Sequence, residues 1–204
     1  MAKTSENPGK KRLIVGITGA SGVAYGLRLL EALRDLRIES HLVVSKPGQM
    51  TIGYETKTAA KGIAADKTYG IEDIAAPIAS GSFHTEGMIV APCSVRSWSE
   101  IASGVTTNLL TRAADVTLKE RRKLVLLVRE SPLHLGHLRT LSQLAEMGAI
   151  ILPPMPAFYA EPKTISDIID QQVGRMLDLF GLDWPHTKRW GEDLAKGRRK
   201  GRGS

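Results

Sequence analysis

Five short apolar runs punctuate the chain, and longer stretches between them carry apolar residues every three or four positions. The runs at 12–18 (RLIVGIT), 39–44 (ESHLVV), 87–91 (GMIVA), 123–128 (KLVLLV) and 149–152 predict buried strands. The longer period predicts helices over 23–36, about 47–54, 101–118 in one or two pieces, 135–147, and 165–180 behind Thr164 or Ser166 as a cap. Strands alternating with helices describe an α/β protein: a single Rossmann-like or flavodoxin-like domain over residues 11–192 with a mainly parallel sheet. Ligands of such sheets bind at the carboxyl ends of the strands, so the loops that follow strands hold the candidate chemistry. The Ala-rich, Gly-punctuated segment 57–82 has no clear period and receives no element.

Composition narrows the class. With 42% hydrophobic and 24% charged residues in 204, the chain suits a globular domain and not a disordered or collagen-like one. One cysteine, Cys93, excludes an intramolecular disulfide framework and a clustered-cysteine zinc site, and suits the reducing cytoplasm. No apolar run nears the ~20 residues of a membrane helix, and the start lacks a signal-peptide core, so neither spanning nor secretion is expected. The formal charge of +7 is concentrated: Lys196, Arg198, Arg199, Lys200 and Arg202 lie in the last nine positions, and residues 1–195 carry only +2. A flexible basic tail over 193–204 and a flexible start over 1–10 follow, with neither nucleic acid nor membrane as an expected partner.

The turn Gly16–Gly22 directly follows the first strand and opens a helix, where glycines admit an anion and unpaired N–H groups favour it. Its spacing departs from G-x-G-x-x-G, and the second strand ends in Val44-Ser45-Lys46 with no acid for a ribose, which favours a mononucleotide such as FMN over NAD. A tight strand-to-helix turn with no ligand explains the same glycines. The loop Pro92-Cys93-Ser94-Val95-Arg96-Ser97 offers hydroxyls at that edge, with Cys93 read as a small buried filler. Arg129 and Glu130 end a buried strand, where charges are costly unless paired or used. Arg112, Asp115 and Lys119 share one helical face, as ligand donors or as a solvated ion-paired surface. His134 and His137 lack a third ligand at metal-site spacing, so no metal is expected. The proline-stiffened loop 153–159 carries Tyr159, whose hydroxyl beside Arg175 suits an anion next to an apolar wall, or simply packs on the helix.

In their order, GASG from Gly19, Ser45-Lys46, Glu55-Thr56, Ser80-Gly81-Ser82, Pro92-Cys93-Ser94, RAADV from Arg112 with LKER from Leu118, RESPL from Arg129 and PPMPAFY from Pro153 resemble the UbiX-type flavin prenyltransferases. The likeness spans about residues 12–192 and is nearest to the branch that accompanies phenolic acid and hydroxyarylic acid decarboxylases. It implies transfer of a dimethylallyl group from dimethylallyl phosphate to reduced FMN, at N5 and then C6, giving prenylated FMN for a UbiD-type decarboxylase. By matching motif, Gly19, Ala20, Ser21, Ser45, Ser94, Val95, Arg96, Ser97 and Arg129 would hold FMN. Ser80, Gly81, Arg112, Lys119, Arg129, Glu130, Tyr159 and Arg175 would surround the prenyl phosphate, with Trp190 as an aromatic wall. Ser21 and Glu55 would move protons near N5, and Glu130 would assist the departing phosphate. The resemblance further implies a homo-dodecamer whose sites neighbouring subunits complete, and no metal. Ile74 stands where some members place a tryptophan. Two rival readings are an FMN-binding accessory subunit without transferase activity, and a chain that itself decarboxylates a phenolic acid.

Overall fold

Residues 11–56 and 62–192 are described by a computed structural model. Six parallel strands, β1 (Arg12–Ile17), β2 (Glu39–Val44), β3 (Lys67–Tyr69), β4 (Gly87–Cys93), β5 (Lys123–Val128) and β6 (Ile150–Ile151), lie in the order β3-β2-β1-β4-β5-β6. The order reverses between β1 and β4, so the loops leaving those two strands part and open a crevice at the carboxyl edge. Helices α1 (Val23–Asp35) and α6 (Ile165–Asp178) cover one face. The other carries α3 (Val95–Ala102), α4 (Leu109–Lys119) and α5 (Leu135–Glu146), while α2 (Lys46–Glu55) follows β2.

Both faces being covered, the central strands must be apolar on both sides, which is why they read as continuous runs. Leu13, Val15 and Ile17 meet Leu29, Leu33, Val173 and Met176 on one side; Ile14, Met88 and Val90 meet Trp98, Leu110 and Leu144 on the other. Each such side chain contributes about 1.5–3 kcal/mol by leaving water. Helix α1 lies close on the sheet because Gly26 has no side chain: a Cβ there would collide with the Ala91 carbonyl and stand 2.9 Å from Ile17.

Four of the five expected strands recur within two residues of their predicted ends, and the 149–152 run contracts to the two residues of β6. Strand β3 was not expected. It is a polar edge strand, held by side chains: the Asp66 carboxylate accepts from the Ser40 N–H at 2.9 Å and its hydroxyl at 3.0 Å, and the Tyr69 hydroxyl meets His41 Nδ1 at 2.8 Å. The predicted 101–118 helix is two, and the first starts six residues earlier, at Val95, because Ser94, directly after β4, is already the N-cap position. Asn108 starts the second by accepting from the Thr111 N–H at 3.1 Å. Thr164, not Ser166, caps α6, in a reciprocal box with Asp167. Cys93 is fully buried, and burial pushes its thiol pKa far up, in keeping with the filler role. Among the described residues no helix is long and apolar enough to cross a membrane. The expected flexible ends, 1–10 and 193–204 with its basic cluster, lie outside the described residues.

Candidate active site

At the carboxyl edge, Gly19 packs so tightly on Pro47 that no side chain fits. Gly22 adopts φ 102°, a left-handed conformation glycine takes without strain, and turns its N–H and that of Val23 toward Glu55. The Gly22 N–H donates to both Glu55 oxygens, at 2.9 and 3.1 Å, and the Val23 N–H donates at 3.0 Å. Partial burial alone would raise the Glu55 pKa; the Ser21 hydroxyl, these two amides and the Arg129 charge outweigh it and hold the carboxyl below the ordinary range. The donors at the start of α1, expected to be unpaired for a ligand anion, are thus taken by a carboxylate of the chain itself, drawn by the same amides and dipole.

Donors for a ligand phosphate remain on the neighbouring turns. The Ser45 hydroxyl caps α2 by accepting from the Gly48 N–H at 3.0 Å. The Ser94 N–H is fixed by Thr18 Oγ1 at 2.8 Å, its hydroxyl lies 3.2 Å from that of Ser97, and no side chain caps the first turn of α3. Val95 and Arg96 occupy that turn, with the Arg96 guanidinium carried outward to Glu100 at 2.8 Å. Lys46 pairs with Glu72 at 2.8 Å, and β2 ends without a carboxylate. Hydroxyls, uncapped helix amides and a nearby arginine fit a phosphate monoester such as that of FMN.

Arg129 and Glu130 differ from expectation. Both are exposed, so the cost of burying charge does not apply to them, and Glu130 accepts from the N–H of Ser131 at 2.9 Å.

A second group forms at the opposite, amino edge. The turn after the 3-10 helix Pro77–Ala79 brings Ser80 Oγ to 2.9 Å from Ser82 Oγ. Arg122, to which the sequence pattern assigns no role, clamps this turn by donating to the carbonyls of Gly81 at 2.6 Å and Phe83 at 2.8 Å. Lys119 is paired with Glu120, and both crowd Gly81, where a Cβ would stand 2.9 Å from Lys119 Nζ. Arg112 donates to the Ala79 carbonyl at 3.2 Å and pairs with Asp115 at 2.8 Å. The predicted common face therefore divides: Arg112 joins Asp115, and Lys119 turns to its own neighbour. Glu86, just before β4, bonds the first residue of β1, and Arg122 immediately precedes β5. The seven residues of β4, about 20 Å of strand, thus separate Ser80, Gly81 and Lys119 from Glu55 and Ser94. One chain does not bring Arg129, after β5, and Lys119, before it, together; the family resemblance implies sites that neighbouring subunits complete.

The third group rests on α6. Tyr159 lies in the 3-10 turn Phe158–Ala160, with Trp190 edge-on to its ring at 5.4 Å. Its hydroxyl is reached by Gln171 at 3.3 Å, and Arg175, one turn further along the same face, is instead paired with Asp178 at 2.8 Å. The expected Tyr159–Arg175 pairing is replaced because Asp178 offers Arg175 a charge partner within one turn. A cavity of about 240 Å³ opens beside this group, between Ala157, Lys163, Gln171 and Lys188. Ile74 is exposed. His134 and His137 stack at 3.6 Å, and His134 caps α5 by accepting from the His137 N–H at 3.3 Å.

Residues 1–177 match the Flavoprotein family. The chain is 53% identical over 194 residues to "Flavin prenyltransferase UbiX" of Thauera aromatica, covering 92% of this chain and all of that protein. It superposes with a TM-score of 0.88, at 49% identity over 89% of this chain and 98% of the other, on AnUbiX (PadA1) in complex with FMN and dimethylallyl pyrophosphate. A dodecameric FMN-dependent Ubix-like decarboxylase from Escherichia coli O157:H7 gives 0.86 at 49% identity over 88% of this chain and 98% of that one.

Proposed function

The chain belongs to the UbiX family of flavin prenyltransferases, and from that premise we propose that it transfers a dimethylallyl group from dimethylallyl phosphate to reduced FMN. The prenylated FMN so formed would serve a UbiD-type decarboxylase in the cytoplasm, with residues 11–192 as the catalytic domain. In this reading Gly19, Ala20, Ser45, the Ser94–Ser97 turn and Arg129 hold FMN. The bound reduced flavin supplies the nucleophilic N5 and C6. Glu55, kept ionised, receives the N5 proton by way of Ser21, whose hydroxyl already bonds it. Glu130 gives a proton to the departing phosphate, held by Ser80, Gly81, Arg112, Lys119, Tyr159 and Arg175, and Trp190 walls the allylic group from water. Because Lys119 and Glu55 lie on opposite edges of the sheet, a working site draws Lys119 from a neighbouring subunit, in an assembly like the dodecameric relative.

The observation that carries the reading is the Glu55 carboxylate, held ionised beside Ser21 at the crevice. A pure flavin carrier needs no second anion site such as Lys119, Arg129 and Arg175 would form. Anaerobic incubation with reduced FMN and dimethylallyl phosphate, read by mass spectrometry, yields a flavin heavier by one prenyl unit. A flavin of unchanged mass overturns the proposal in favour of the carrier, and carbon dioxide released from a phenolic acid by this chain alone favours the decarboxylase.

A further inference from the structure

Gln171 has no part in the chemistry above, yet it is a buried polar side chain, 5% exposed, on the core-facing side of α6. Its amide is fully committed. Oε1 accepts from the Lys188 N–H at 2.9 Å; Nε2 donates to the Lys188 carbonyl at 3.0 Å and reaches the Tyr159 hydroxyl at 3.3 Å. The orientation of the amide follows from chemistry. A backbone N–H can only donate, so the atom facing Lys188 N is the oxygen, and the nitrogen faces the tyrosine. The Tyr159 oxygen is then an acceptor toward Gln171, and its single proton points elsewhere, as a donor. The same two bonds anchor the C-terminal segment, whose Lys188 Nζ donates to the Ala160 carbonyl at 2.6 Å and whose Trp190 flanks the Tyr159 ring.

We infer that Gln171 is a positioning residue: it holds the Tyr159 hydroxyl as a hydrogen-bond donor to the prenyl phosphate. The inference rests on the reading that Tyr159 meets that phosphate.

Gln171→Glu tests it. The carboxylate keeps an acceptor for the Lys188 N–H but has no N–H for Tyr159, so the phenol donates to the carboxylate and is lost to the substrate. The KM for dimethylallyl phosphate rises roughly tenfold or more, as for loss of a charge-assisted hydrogen bond, while FMN affinity, followed by flavin fluorescence, stays within about twofold. Tyr159→Phe gives a similar rise, and the double variant is no worse than either single one. An unchanged KM in Gln171→Glu, with Tyr159→Phe impaired, overturns the inference. Multiplying effects in the double variant overturn it too, since Gln171 then acts without Tyr159. An unchanged KM in Tyr159→Phe removes the underlying reading itself. Gln171→Met, uncharged and of similar reach, also lacks the N–H, and the same cycle reads it where the glutamate disturbs folding.

Discussion

At Glu55, two backbone amides and a serine hydroxyl converge on one carboxylate and keep it charged, with the Ser21 hydroxyl between it and the crevice. Glu55→Gln keeps the shape without the charge, and Ser21→Ala removes the hydroxyl between carboxylate and ligand. Both variants retain FMN and turn over ~10²–10⁴-fold more slowly, the usual contribution of an acid–base group; wild-type rates in both would sink these roles. Because the folded chain holds the Glu55 pKa down, its carboxylate persists as pH falls and stabilises the fold above the unfolded value, a benefit lost only as pH drops through the lower, folded one. The acid limb of the pH–rate profile accordingly lies below the ordinary glutamate value of about 4.3, and Ser21→Ala moves it upward. The glycine turn was legible as a strand-to-helix turn with amides that attract an anion, but residue type and place did not show that the anion is the chain's own Glu55 carboxylate. Glu55 came only with the family likeness, since no spacing rule says that the end of α2 reaches the start of α1. Gln171 gave no signal, because periodicity marks which positions face inward and not which partner a polar side chain finds there.

Elements were legible where burial dictated composition. Strands β1, β4 and β5 are largely apolar on both faces and β2 becomes so after its polar start Glu39-Ser40-His41, whereas β3, held by Asp66 and Tyr69 through side-chain bonds, has no such pattern. The early start of α3 was missed because a serine-rich stretch after a strand reads equally as a loop or as a cap. The packing of α1 on the sheet gives a contrast between two glycines. Gly26→Ala forces a methyl group against the Ala91 carbonyl and Ile17, which overpacks the core by about 1–3 kcal/mol. At about 2–4 °C per kcal/mol for a domain of this size, the melting temperature falls by roughly 2–12 °C. Gly53→Ala, in exposed α2 with nothing within 4 Å of the new Cβ, holds or raises it, since alanine is the better helix former. Equal shifts in thermal melts of the two variants would refute the close approach of α1.

For the whole molecule, the decisive feature is that the residues proposed for the site lie at the two opposite edges of the sheet. No rearrangement of loops carries Lys119 and Gly81 across the length of β4, so the roles proposed for them require the amino edge of one subunit to meet the carboxyl edge of another. Large apolar side chains stand ready for such contacts: Tyr54 at the end of α2 beside Glu55, and Met155, Phe158 and Trp190 around the third group, are each more than 60% exposed. The family resemblance implied shared sites, but not which residues each subunit supplies, because motifs in order along the chain say nothing about which edge each occupies until the strand directions are fixed. A shared site predicts complementation. Glu55→Gln and Lys119→Ala are each inactive as homogeneous assemblies, but an assembly formed from equal amounts of both, by co-expression or by dissociation and remixing, places an intact Glu55 against an intact Lys119 at some interfaces. With random association and one residue from each of two subunits, roughly a quarter of the sites are whole, and about that fraction of wild-type turnover returns. If both residues came from one chain, no mixed assembly would contain a complete site, and turnover in the mixture would stay at the level of the inactive parents.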